Sequence, residues 1–224
     1  MGEPSVRIDE LIRTRRKSLG LTVTPDARLI VRAPKRLPMA YIESFIRQKA
    51  SWILNKQAQM RNMPQAAHTY REGELFPLLG EQAELRYDPS VRRVTLAGKL
   101  LLLPAAEQGR AKELLEPWYR AYARTVFAQR IAYYAPLMNV RPGALRISGA
   151  RGRWGSCGAG GGINLVWRLC MAPLEVVDYV VVHELAHLKR RDHSAAFWQE
   201  VERILPAYKE QRRWLKQNAR LLEL

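Results

Sequence analysis

The chain has 224 residues, 47% of them hydrophobic, which is enough for one core or two intimate lobes and leaves no room for a disordered chain. Its start, Met1-Gly2-Glu3-Pro4-Ser5-Val6, is polar and runs into Arg13, Arg15, Arg16 and Lys17, so it does not read as a signal peptide, and the best apolar run, Leu100 to Leu103, stops at Pro104, far short of a membrane span. Two cysteines, Cys157 and Cys170, are too few for a disulfide framework, and a cytoplasmic protein with no membrane partner is expected.

The net charge is +16 and it is unevenly spread. Residues 1–61 carry 13 Lys/Arg against 5 Asp/Glu, and residues 189–224 carry 9 against 5, whereas residues 151–188 are balanced. Basic flanks attract polyanions by counterion release, so DNA or RNA is a candidate partner, although no DNA-reading motif is present. A solvated cationic surface is the alternative.

In chain order, Leu21-Thr22-Val23 and Leu29-Ile30-Val31 predict a hairpin turning at Pro25-Asp26. Pro38 opens an amphipathic helix to about Met60, with Ile42, Phe45, Ile46, Ala50, Ile53 and Leu54 at three- and four-residue spacing. Residues 61–69 read as a linker around Pro64. Residues 70–104 read as β-rich, with Ala83–Tyr87 and Arg93–Leu96 between glycine and Asp-Pro turns. A helical stretch from Glu107 to Tyr134 should be kinked or divided at Pro117, its apolar stripe being Trp118, Tyr122, Val126 and Ile131. Asn139 to Gly143 is a turn and Leu145–Ile147 a strand. Arg153–Cys157, the glycine run Gly158–Gly162 and Ile163–Trp167 form a hairpin whose tip is either a mobile flap or a long turn. Pro173 starts a helix, Ser194–Leu205 is another, and a basic helix follows Pro206. These elements predict an α+β fold with an N-terminal β-rich lobe, carrying one amphipathic helix, over residues 1–104 and a second lobe over residues 105–224.

The densest chemistry is His183-Glu184-Leu185-Ala186-His187, followed by His193. Histidines four apart lie on one helix face and can hold one ion, while Glu184 lines the same cleft without ligating. His193 comes six residues after His187, about 9 Å further along a straight helix. It can join only if the helix ends near Arg190 or Arg191 and folds back, with Asp192 suited to irregular or left-handed backbone at that turn. Three protein ligands would leave a fourth position open, the catalytic rather than the structural arrangement. Val176, Val177, Val180, Val181, Leu185 and Leu188 make the helix apolar nearly all round, which predicts a buried cleft floor. Zinc fits an all-histidine set, one ion per chain. His68, the remaining histidine, is expected to be exposed.

These residues carry a resemblance. Arg153-Trp154-Gly155-Ser156-Cys157, Ile163-Asn164-Leu165, Trp167-Arg168-Leu169, Val176 to Val182, His183 to His187, His193 with Phe197-Trp198, and Pro206-Ala207-Tyr208-Lys209 with Trp214-Leu215 resemble the YgjP-like metallopeptidases, a family related to the SprT-like zinc proteases. The similarity runs from about residue 21 to 217 as one unit. It implies a zincin-like fold, a zinc ion on His183, His187 and His193, and Glu184 as the catalytic acid/base on a water acidified by that ion. The spacing also equals the metzincin pattern, but Arg190 stands where that pattern has glycine and no Met-turn follows.

Around this centre, the strand Ile163–Trp167 is expected at the cleft rim, where Ile163, Asn164 and Leu165 would pair with an extended substrate; an internal strand is the alternative. Arg153 could bind a substrate carboxylate, stabilise an oxyanion or form a structural ion pair. Cys157 reads better as a small buried thiol than as a ligand, and Tyr208 better as core packing than as an oxyanion donor. Phe197 and Trp198 should pack the helix under the site. The leading expectation is a zinc-dependent peptidase acting on protein or peptide. The rivals are a nucleic-acid-binding module with a structural zinc site and a hydrolase of non-peptide amides.

Overall fold

The computed structural model describes residues 6–24, 26–62 and 68–224. The chain divides into two compact units, residues 1–65 and residues 66–224. The boundary expected at 104/105 therefore moves. The β-rich segment belongs with the second unit because Phe76, Leu85, Leu101 and Leu103 share one core with Leu115, Tyr119 and the helix that carries the histidines. Pro25 and residues 63–67 of the expected linker lie outside the described residues.

In the first unit, β1 (Glu10–Thr14), β2 (Gly20–Val23) and β3 (Leu29–Pro34) form a sheet in the order β1-β3-β2. The expected hairpin is β2–β3; β1 was not foreseen and pairs parallel with β3. Alternate residues of β3, Leu29, Val31 and Ala33, are buried against Ile42, Ile46 and Ile53. The single helix expected to Met60 is two, α1 (Met39–Gln48) and α2 (Ala50–Asn62), broken at Lys49 with φ −101° and ψ 8°. The break lets Ile46 and Ile53 both reach the sheet, while Phe45 and Leu54 stay only partly buried.

The second unit holds two sheets. β4 (Leu75–Leu78), β5 (Glu81–Asp88), β6 (Thr95–Ala97) and β7 (Leu100–Pro104) run in the order β4-β5-β7-β6. β8 (Leu145–Ser148), β9 (Gly155–Cys157) and β10 (Ile163–Val166) run in the order β8-β10-β9. His68 is not exposed: its side chain is 8% accessible, its Nδ1 lies 2.7 Å from Glu74 Oε1, and its ring stacks on Phe76.

A 27-residue helix, α3 (Ala111–Leu137), runs unbroken through Pro117. The proline removes one donor near the start of the helix, and packing on both sides outweighs that loss. The buried stripe includes Leu115, Tyr119, Ala123, Val126, Phe127 and Tyr134; of the expected residues Val126 is in it, while Trp118, Tyr122 and Ile131 are only partly buried. Trp118 and Tyr122 instead stack on each other at the margin of the core.

Pro173 precedes α4 (Leu174–Ala186), which is buried on nearly every face; α5 (Ala195–Ile204) and α6 (Tyr208–Asn218) complete the unit. Two devices hold α4. Gly80 passes so close to Pro173 that an added Cβ would meet Pro173 Cα at 2.9 Å. Asp178 receives two hydrogen bonds from Arg130 of α3 and a third from the Tyr134 hydroxyl. Asp178→Ala would leave Arg130 without its carboxylate, and a loss of about 3 kcal/mol is expected in urea unfolding. A loss under about 0.5 kcal/mol would show that α4 is held by apolar packing alone.

Candidate metal centre

The two histidines of α4 sit at its C-terminal end. His183 is in the last turn and His187 caps the helix. The end comes earlier than the expected Arg190 or Arg191, although the Arg190 amide still bonds back to the Ala186 carbonyl. The chain then turns without any residue of positive φ. Asp192 contributes through its side chain rather than through left-handed backbone: its Oδ1 accepts from the Ser194 hydroxyl at 2.8 Å and from the Ser194 amide. Ser194 in turn caps α5 by accepting from the Phe197 amide. No glycine is needed where the metzincin pattern has one, because side-chain hydrogen bonds hold the turn.

This turn carries His193 back onto the helix. His193 Nε2 lies 3.2 Å from His183 Nε2, and the three histidines offer ring nitrogens within 4.8 Å of one another. Ligands about 2.0–2.1 Å from a tetrahedral zinc lie about 3.3 Å apart, a separation that the His183–His193 pair matches. The His187 ring is oriented by Nδ1, 3.0 Å from the Arg190 carbonyl, which assigns the proton to Nδ1 and frees Nε2. Burial, and then the charges of the neighbouring histidines and Arg212, push His183 down to about 3. Burial also lowers His187. Both are therefore neutral near pH 7, the form that ligates. Phe197 is fully buried and packs its ring 4.6–4.9 Å from all three imidazoles, with Trp198 beside His183 and His193.

Glu184 is 5% exposed, and burial pushes its carboxyl up to about 7 against the opposing charge of Arg153. It fits only because residue 155 is glycine: a Cβ there would meet Glu184 Oε1 at 2.5 Å and Cγ at 2.7 Å. Two cavities, about 470 and 490 Å³, meet at Gly155, His183 and Glu184.

The placement of the other expected residues is mixed. β10 is the central strand of its sheet, paired on both sides, with Ile163 and Leu165 fully buried. Ile163, Asn164 and Leu165 therefore have no free backbone edge for a substrate, and the strand beside Glu184 with an open edge is β9. Arg153 lines the first cavity and makes no ion pair within 4 Å among the described residues. Tyr208 is 5% exposed, stacks on Trp198 and lines neither cavity. Cys157 is half-buried in the wall of the second cavity and stands outside the histidine cluster. The glycine tip closes as a turn, Gly158 amide to Gly162 carbonyl, and is tethered by the Gly143 amide to Gly161 and by Arg191 Nη2 to the Ala159 carbonyl. Gly155, Tyr179 and Arg212 were not foreseen. Tyr179 lies on α4 four residues before His183, so helical spacing could have found it, whereas Gly155 and Arg212 reach the site from β9 and α6 and no local pattern singles them out.

Gly155→Ala is expected to cost about 1–3 kcal/mol in urea unfolding, because backbone and a buried side chain must separate. Gly160→Ala, with open space around the added methyl, should change stability by less than about 0.5 kcal/mol. Equal effects would show that Glu184 is not confined by β9.

No curated protein matches the chain. A crystal structure of the metallopeptidase zymogen of Pyrococcus abyssi abylysin is similar over 42% of this chain and 96% of that one, with 28% identity and a TM-score of 0.39. The model of the YgjP-like metallopeptidase domain matches residues 17–218, a span that contains the three histidines, Glu184 and the β9–β10 hairpin. The chain belongs to the YgjP-like metallopeptidase family.

Proposed function

We propose that this protein is a zinc-dependent peptidase that uses Glu184 as its acid/base, with one zinc per chain on His183, His187 and His193. The observation that carries the reading is the juxtaposition of three converging imidazoles with a buried carboxylate one residue after the first. A structural zinc site needs no such carboxylate and is closed by a fourth protein ligand. When bound, zinc would polarise the scissile carbonyl and acidify water in the site. Glu184 takes the proton of the attacking water and hands it to the leaving amine, a role favoured in a carboxyl poised near neutral pH. Gly155 keeps the floor of β9 thin enough for that carboxylate to face the cleft. An extended substrate adds along the open edge of β9, its backbone amides and carbonyls supplying the pairing.

This reading supplies protein or peptide as substrate. Nucleic acid is an accessory ligand of the basic flanks, as the charge of residues 1–61 and 189–224 suggests. Among the described residues no helix is long and apolar enough to cross a membrane.

Wild type and Glu184→Gln should each hold one zinc by metal analysis, and only wild type should cut an unstructured protein, with a deficit of about 10²–10⁴-fold for the variant. Comparable cleavage by both, or purified native protein without metal, would overturn the reading. His193→Ala should lose zinc and activity together, since two ligands remain. Adding DNA to the same assay reads the accessory role directly.

A further inference from the structure

The two cavities that meet at Glu184 differ in charge. The cavity of about 490 Å³ contains Arg191, but that guanidinium already donates to the Ala159 carbonyl. The cavity of about 470 Å³ gathers Arg153, Arg212 and Lys216, and Glu184 is the one carboxylate among its described lining. None of these three cations forms an ion pair among the described residues, whereas the nearby Lys189, Arg203 and Lys209 each do. Arg212 and Lys216 are four apart on α6, so one face of that helix presents both. The Arg212 guanidinium is held 4.9 Å above the Trp198 ring, and its charge is felt at His183 and Tyr179. Arg153 comes from the other side, ahead of β9, and its charge is felt at Glu184. Three cations thus surround one recess, none of them in an ion pair among the described residues.

Trp154, Val180 and Leu215 add an apolar stretch of wall beside the three cations, and Tyr179 and His183 line the recess where it meets the histidine cluster. We propose that it is the subsite for a substrate carboxylate next to the scissile bond, either an acidic side chain or a free peptide C-terminus. The inference rests on the peptidase reading. An acidic side chain brings an aliphatic stem for the apolar wall and a carboxylate for the cations, and a cleft lined by one sign of charge concentrates ligands of the other. A phosphodiester backbone has no stem to place against Trp154 and Leu215.

The test is a peptide series with one cleavable bond, carrying Glu, Gln or Lys at each flanking position, with a free or amidated C-terminus. At one flanking position the Glu peptide should exceed the Gln peptide in kcat/KM by at least about tenfold, or about 1.4 kcal/mol. A preference that follows the free C-terminus instead would assign the carboxylate to the chain end. The Arg153→Gln/Lys216→Glu double variant should bring either ratio to within about twofold of unity, with zinc content retained. Ratios near unity in wild type, or ratios unchanged in the double variant, would overturn the subsite while leaving the peptidase reading intact. If zinc-loaded wild type cuts no peptide, the peptidase reading fails. Calorimetry of Glu184→Gln with the Glu and Gln peptides then decides the recess separately: at least tenfold tighter binding of the Glu peptide supports it, and equal binding sinks it. A short single-stranded DNA that competes for the same cations in place of peptide would assign the recess to phosphate and overturn the proposal.

Discussion

Burying a helix that carries two imidazoles and a carboxylate is the constraint on which the larger unit depends. Polar groups in an apolar interior are costly unless paired, and ionised ones more so. α4 meets that cost in three ways. Its upstream turns are rich in valine and buried on nearly every face. Its one buried anion outside the site, Asp178, is satisfied by Arg130 and Tyr134. Its site residues are held near neutrality, His183 pushed far down and Glu184 pushed up by the same burial. The same desolvation disfavours the charged form of both groups.

The second element of the site is the return of the chain after His187. A straight continuation would carry His193 out of reach. The structure brings it back with one side-chain acceptor, Asp192 Oδ1, feeding a Ser194 cap, and then uses the new helix to wall the site with Phe197 and Trp198. The helix that the Ser194 cap starts therefore also packs the three imidazoles. The His187–Arg190 contact adds a tautomer choice to the geometry. Arg191 ties this turn to the glycine tip of the β9–β10 hairpin, so the two walls of the second cavity are joined by one hydrogen bond.

The cleft is asymmetric in charge, and the asymmetry comes from pairing rather than from composition. Residues 189–224 are basic throughout, but most cations there either meet a glutamate or lie away from the site. Arg212 and Lys216 face the recess because α6 is pinned by Tyr208 stacked on Trp198 and by Leu215 in the core. A basic surface that sequence counting reads as a polyanion footprint thus contains a recess with an apolar wall, which makes different demands on a ligand.

How much of this was legible in the sequence follows from the range of each interaction. The histidine spacing, the apolar run before it, the β2–β3 and β9–β10 hairpins and the last two helices are local patterns, and they hold. The expected stripe of α3 is right at Val126 but takes Trp118 and Tyr122 where the neighbouring Tyr119 and Ala123 are buried, because those positions are chosen by what they face and not by hydrophobicity alone. Pro117 was overweighted, since packing along a 27-residue helix outlasts one lost hydrogen bond. Strand order is non-local, so the sequence could not say that β10 is central and β9 the open edge. The sequence by itself determined which residues can hold a metal and which carboxylate stands beside them, since both are set by helical periodicity. Only the tertiary structure decided that His193 reaches them, that Gly155 makes room for Glu184, and that Arg153 and Arg212 share a recess. Those contacts join segments 10 to 59 residues apart, and they arise from packing around α4 that no local pattern encodes.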